Sequence, residues 1–289
     1  VPRWDFFRKI FTELSSGWKT NRHFHEQPEL MNMNQKEAAA KVHPVVPREE
    51  WLVKRIELLK AEKDLTRRKD ELSRQLRELP WVRIEKDYRF QTPDGEKNLA
   101  DLFGANSQLV IQHFMMGPGW EEGCPSCSFM ADHTDGMLPH LAARDVMMIA
   151  VSRAPLAEIE VFKKRMGWRF PWVSSHGCDF NFDFRVSFTE DQIASGKLDY
   201  NYALREFGST EAPGISVFHK DAAGCVFHTY STFGRGVEQV VGTYAVLDLV
   251  PKGRDEGDLS FTMEWVRHHD RYDVSGNKAG ACCSERGKP

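Results

Sequence analysis

Between residues 108 and 168 the sequence alternates apolar runs with amphipathic segments, and that alternation constrains the fold more than any other feature of the chain. Residues 108–114 and 146–152 read as buried strands. Residues 127–143 and 154–168 read as helices, the second with Leu156, Ile159, Phe162 and Met166 spaced to share an inner face. Strand, helix, strand, helix in that order implies βαβ units and a parallel sheet. Residues 215–219 and 226–230 flank Asp221-Ala222-Ala223-Gly224, the pattern of an antiparallel hairpin. The expected fold class is α/β.

Upstream, residues 82–90 read as a strand, Thr92-Pro93-Asp94-Gly95 as a turn and 99–103 as a helical turn. Before them Pro47 suits a helix start, Glu49 and Glu50 suit its first turn and Pro80 stops it, so a long helical arm is expected over 47–80. Trp51, Leu58, Leu65, Leu72 and Leu79 recur every seven residues along it, while the companion positions Arg55, Glu62 and Lys69 are charged. Half a coiled-coil seam of this kind is expected to serve as an arm on the domain or as a dimer contact, giving a homo-oligomer through the N-terminal helices. Residues 1–46 form an extension in which Trp4, Phe7, Phe11, Leu14 and Trp18 share one face of a short amphipathic helix, expected to dock on the body or on a partner subunit rather than on a membrane. The extension starts with Val and holds Met31 and Met33 as alternative starts. The resulting division is an extension over 1–46, an arm over 47–80, an α/β domain over 81–272 and a loose polar tail over 273–289.

A composition of 41% apolar, 28% charged and 11% aromatic residues in 289 excludes collagen, fibres and disorder throughout. Lys and Arg number 39 against 42 Asp and Glu, a formal charge of -3, so no chain-wide basic field exists to hold nucleic acid. No apolar run reaches the roughly 18 residues that span a bilayer, and the N-terminus lacks a secretory apolar core. A cytoplasmic protein without membrane partners is expected. Six cysteines are too few for a disulfide scaffold of this length, so a close pair among them points to catalysis or metal binding.

That pair is Cys124-Pro125-Ser126-Cys127, directly after an expected strand and at the start of an expected helix. Cys124 at the helix cap faces unsatisfied backbone N–H groups that stabilise a thiolate, and Pro125 suits the first helical position. Cys124 is therefore the candidate accessible nucleophile, and Cys127, one turn inside and better covered, the candidate resolving thiol. C-x-x-C is also half of a four-ligand zinc site. No second C-x-x-C completes it, and His133, His176 and Cys178 lack a tight paired spacing, which favours redox chemistry and leaves zinc as the alternative. Glu121 and Glu122 stand beside the motif, where carboxylates oppose thiolate formation.

The run Gly117-Pro118-Gly119-Trp120-Glu121-Glu122-Gly123-Cys124-Pro125-Ser126-Cys127-Ser128-Phe129, with Val151-Ser152-Arg153-Ala154-Pro155 and Phe170-Pro171-Trp172-Val173-Ser174-Ser175, resembles the largely bacterial domain-of-unknown-function family 899. The resemblance extends over about 51–272. It implies a thioredoxin-like fold and a dithiol-disulfide oxidoreductase acting on protein or small-molecule thiols and disulfides, with no cofactor and no metal. The order of elements is also similar to that of peroxiredoxins. Those carry Thr or Ser three residues before the attacking cysteine, where this chain has Glu121, which argues against a peroxidase. A thioredoxin-like fold further implies a cis-proline facing the dithiol, and Pro213, just before the strand at 215, is the candidate. Trp120 resembles the aromatic residue that precedes many redox C-x-x-C motifs; with Pro125 and Pro213 it makes up the candidate substrate-binding set.

Cys178 and Cys225 are isolated and read as small buried hydrophobes, and Cys282 and Cys283 as tail thiols. His113 and His133 lie near the motif in the chain, where they could shuttle a proton, although a surface or hydrogen-bonded role is the default. The stretch 180–188 reads as core packing through Phe182, Phe184 and Phe188, with Asp179, Asp183 and Arg185 able to build a polar pocket. The competing function from another class is a noncatalytic thioredoxin-fold binding or assembly protein, stabilised by zinc.

Overall fold

The computed structural model describes residues 43–272. Helix α1 (Arg48–Arg77) opens them, with Pro47 at the N-cap, Glu49 and Glu50 in the first turn and Arg74 and Arg77 in the last. Negative charge at the start and positive charge at the end complement the helix dipole. Ion pairs such as Arg55–Glu62 at 2.8 Å and Arg74–Glu71 at 2.7 Å stiffen its surface. None of its residues is buried.

Past Pro80 the chain builds one eight-stranded sheet in the order β1-β10-β9-β4-β5-β6-β2-β3. The strands are β1 (Val82–Arg83), β2 (Arg89–Thr92), β3 (Gly95–Asn98), β4 (Gln108–His113), β5 (Val146–Ser152), β6 (Trp172–Ser174), β9 (Gly214–Lys220) and β10 (Val226–Phe233). A separate hairpin pairs β7 (Leu198–Tyr200) with β8 (Ala203–Arg205). The three central strands β4, β5 and β6 run parallel, as the alternating pattern requires. On the other side of β4, β9 and β10 form the expected antiparallel hairpin. Helix α2 (Pro125–Ala131) follows the central strand β4, and α4 (Leu156–Met166) carries the second crossover, with Ile159, Phe162 and Met166 buried. This is a thioredoxin-like α/β fold with a long helix added at its N-terminal side.

Two expected elements are divided. The strand expected over 82–90 is two strands on opposite sides of the sheet, β1 against β10 at one edge and β2 between β6 and β3. Its charged residues Arg83, Glu85, Lys86, Asp87 and Arg89 cannot enter a core, and only Tyr88 and Phe90 are buried. The helix expected over 127–143 is α2 followed by α3 (Thr134–Ala142), broken at Asp132 and His133. Tertiary bonds hold the break: Trp168 Nε1 donates to Asp132 at 2.7 Å, and Thr243 N donates to His133 Nε2 at 3.1 Å.

Alternation along β4 sets the two faces of the sheet. Leu109 and Ile111 join Phe90, Ile149, Val151, Phe180 and Phe218 in one cluster. Gln112, pointing the other way, donates from Nε2 to Cys127 O at 3.0 Å and ties the central strand to α2. Over α2, Phe129 and Met130 pack against Ile215, Tyr244 and Val266. The remaining short helices are α5 (Phe180–Asp183), α6 (Glu190–Ala194) and α7 (Gly242–Leu247). Among the described residues no helix is long and apolar enough to cross a membrane.

Candidate active site

Residues 114–123 leave β4, loop outward and return, so that Cys124 N donates to Met115 O at 3.0 Å. Cys124 then caps α2, Pro125 takes the first helical position and Cys127 lies one turn inside. Both cysteines are free thiols. The expected accessibility of Cys124 is not what the fold provides: its exposure is 1%, against 2% for Cys127. The returning loop covers it. Gly123 has Phe114 and Phe162 so close that a Cβ would lie 2.5 and 2.8 Å from their rings, and His268 Nε2 bonds Gly123 O at 2.9 Å from the far end of the domain.

With equal burial, hydrogen bonding separates the two sulfurs. The Cys127 thiol donates to Cys124, and the backbone N–H groups of Cys127 and Ser126 and the Ser126 hydroxyl add to it; together they outweigh burial and hold Cys124 below the ordinary thiol value. Burial raises Cys127 well above that value, and its neighbour Cys124 raises it further, while the Met115 N–H works in the opposite direction. The arrangement is a thiolate-favouring cap sulfur beside a proton-holding inner sulfur.

Trp120 packs against the cluster that contains both cysteines, together with Phe188, Tyr200, Phe207, Ala212 and Phe233. Pro213 is brought to this wall through Ala212, and Tyr200 donates its hydroxyl to Pro213 O at 2.7 Å. The expected cis bond is absent: no peptide among the described residues is cis. Leading into β9, Ala212 N donates to Val186 O at 2.8 Å and Ser187 bridges Glu211.

Three neighbours escape a reading of the sequence. Tyr200 is fully buried in the cluster that holds Cys127, and burial raises its phenol pKa. It arrives on a hairpin whose turn residues Asn201 and Tyr202 take φ of 53° and 60°, with no glycine to announce it. Arg153, just past the end of β5, donates from Nε and Nη2 to Glu211 Oε1 at 2.8 and 2.5 Å, and Ser187 Oγ donates to Glu211 Oε2 at 2.5 Å. Burial pushes the Glu211 carboxyl up, and Arg153 pulls it partly back. Glu211 and the Trp120 indole N both lie against Gly117, where a Cβ would be 3.2 and 3.1 Å from them, so this pair abuts the loop over the dithiol. The available signal was position: polar residues at the carboxyl end of a parallel strand are where α/β folds place sites.

Other candidates resolve differently. Glu122 is engaged by Arg165, Arg271 and His268, so its charge is countered before it can oppose a thiolate. His113 faces away from the dithiol, stacked on Phe184 with Nε2 bonded to Ser216 Oγ at 2.7 Å, and burial lowers its pKa to about 3. His133 is occupied by Thr243. Cys178 and Cys225 are half-buried and separate; Cys282 and Cys283 lie outside the described residues. Phe180 and Phe188 are buried, whereas Phe182 lies under the Arg153 guanidinium and, with Asp183, Arg185, Ser187, Phe188, Gln192 and Asp199, lines a cavity of about 340 Å³. Among the described residues no three His, Cys, Asp or Glu side chains gather where they could hold a metal ion.

Residues 40–272 match the model of a family described as bacterial protein of unknown function, DUF899. The chain belongs to the DUF899 family. No curated protein matches this DUF899 chain in sequence. Solved structures similar to it include a cysteine-to-serine mutant of Xylella fastidiosa PrxQ, at 14% identity and a TM-score of 0.35 over 55% of this chain and 87% of that one. The peroxidoxin BcpB of Mycobacterium tuberculosis gives 13% and 0.37 over 57% and 94%. A provisionally assigned protein disulfide isomerase of Bacteroides thetaiotaomicron gives 21% and 0.32 over 58% and 91%. At such scores the likeness says nothing of activity.

Proposed function

We propose that this DUF899 protein is a thiol-disulfide oxidoreductase in which Cys124 attacks and Cys127 resolves. The observation that carries the reading is the placement of two free thiols at one helix start, Cys124 at the cap and Cys127 one turn inside, and the opposite displacement of the two thiols supports it. The Cys124 thiolate attacks one sulfur of a substrate disulfide; a mixed disulfide forms and the other sulfur leaves as a thiolate that takes up a proton. Cys127 then loses its proton and attacks the Cys124 sulfur, releasing the second substrate thiol. The enzyme dithiol is oxidised by two electrons and the substrate disulfide is reduced by two; an external thiol restores the enzyme. Trp120, Pro125 and Pro213 form the wall against which the substrate docks. Since the dithiol is covered, the loop of residues 117–123 moves to admit it. Glu121, in place of a hydroxyl residue, makes peroxide a poor substrate.

The test is reduction of insulin or a small disulfide beside peroxide consumption. Cys124→Ser is expected to abolish disulfide reduction, and Cys127→Ser to accumulate a mixed disulfide detectable by mass spectrometry. Rapid peroxide turnover surviving in Cys127→Ser would make the protein a one-cysteine peroxidase. Inactivity in both assays, with zinc bound one to one in fresh protein, would support the assembly-protein reading.

A further inference from the structure

Along α1 the row Trp51, Leu58, Leu65, Leu72 and Leu79 is exposed to 46, 56, 68, 57 and 43%. Leu52, Val53 and Ile56 are exposed as well, on another face of its first turns, and Trp81 and Val82 expose further apolar surface where the chain enters the edge strand β1. A helix of 30 residues is about 45 Å long at its ordinary rise, so the row is a continuous apolar band rather than the scattered exposed side chains of an ordinary surface.

The flanking charges select what covers it. Arg55, Glu62, Lys69 and Leu76 run along one side of the row, and Lys54, Ala61, Arg68 and Gln75 along the other. A second α1 laid parallel and in register would set Arg55 beside Lys54 and Lys69 beside Arg68 of the other copy, each twice by symmetry, so that like charges meet in both layers. Laid antiparallel about a two-fold axis at Leu65, it sets Trp51 of one copy against Leu79 of the other, Leu58 against Leu72, and Leu65 against itself. The same rotation brings Glu62 beside Lys69, twice by symmetry, Arg55 beside Leu76, Lys54 beside Gln75 and Arg68 beside Ala61. No like charges meet. It also carries the Trp51 end of each helix to the exposed Trp81 and Val82 of the other copy, covering the whole band, and a two-fold contact of this kind closes on itself.

We propose that α1 is the dimerisation element of this protein, pairing antiparallel with α1 of a second copy about Leu65. Sedimentation equilibrium of the full chain at micromolar concentration is expected to give twice the chain mass. Leu65→Glu, on the axis, is expected to raise the dissociation constant on the order of 100-fold or more while circular dichroism and disulfide reduction stay unchanged. Glu62→Lys or Lys69→Glu alone is expected to weaken the dimer about 10-fold, and the two together to restore it. A monomer at tens of micromolar overturns the proposal, whether the band is then covered by residues 1–42 or bare. A dimer indifferent to Leu65→Glu also overturns it, and a double charge swap without recovery overturns the antiparallel register. Loss of reductase activity in the wild type would leave these outcomes untouched.

Discussion

The thiol of Cys127 donates a hydrogen bond to the sulfur of Cys124 inside the core, and the two groups shift in opposite directions from the ordinary thiol value. Exposure does not distinguish them; the donors around Cys124 do. Reactivity with a small alkylating agent should therefore rise as pH increases through a Cys124 midpoint below the roughly 8.5 of a free thiol, with Cys127 modified only at higher pH. Cys127→Ala removes the strongest of those donors and should move the midpoint up, and Ser126→Ala should do so by less. Alkylation rates followed by mass spectrometry from pH 5 to 10 give the comparison. An unmoved midpoint in Cys127→Ala would remove Cys127 as the cause.

Gly123, next to Cys124 in the chain, is packed against Phe114 and Phe162. Adding a methyl group at this position drives it into the Phe114 and Phe162 rings, neither of which has room to retreat inside the cluster. Gly123→Ala should cost about 1 to 3 kcal/mol in urea unfolding and slow disulfide reduction, because Cys124 moves with the backbone next to it.

Arg153 compensates a carboxylate that is otherwise surrounded by protein, the Glu211 side chain being only 2% exposed. Arg153→Ala should cost about 3 to 5 kcal/mol at pH 8. Its pH dependence has a definite sign. Burial raises the folded-state pKa of Glu211, so its contribution is complete below the ordinary carboxylate value and is lost as pH rises from there through the raised folded-state value. Without Arg153 the loss deepens, and the variant should stand closer to wild type at pH 4 than at pH 8. Equal deficits at both values would show that Glu211 is not charged in the wild type.

His113 is held neutral by burial, with a pKa of about 3 against an ordinary 6.5. A depressed histidine favours the folded state only while the unfolded chain is also neutral, so stability falls as pH drops below the unfolded value. From this residue alone the unfolding free energy should decrease by about 2 kcal/mol between pH 7 and pH 5. His228 and His268, lowered by burial as well, act in the same direction. Denaturant curves at the two pH values measure the slope, and His113→Gln should flatten it. A wild-type slope unchanged by that substitution would place the proton uptake elsewhere.

Local sequence determined the parallel core, the β9–β10 hairpin, the extent of α1 and the position of Cys124 as the cap of α2. These follow from periodicity, capping residues and prolines, each acting within a few neighbouring positions. The tertiary structure alone decided what depends on distant segments meeting. It divided the charged stretch 82–90 between opposite sides of the sheet and broke the helix at His133, where Thr243 supplies the compensating bonds. It left Pro213 trans, and it buried Cys124 next to a Gly123 whose carbonyl is bonded by His268. Tyr200, 73 positions from Cys127, and the Arg153–Glu211 pair, 58 apart in the chain, reached the site in the same way. Burial is a property of the assembled core and holds the proton on Cys127, whereas the donors that favour a Cys124 thiolate, Cys127 and Ser126, belong to the motif itself and are legible in the sequence.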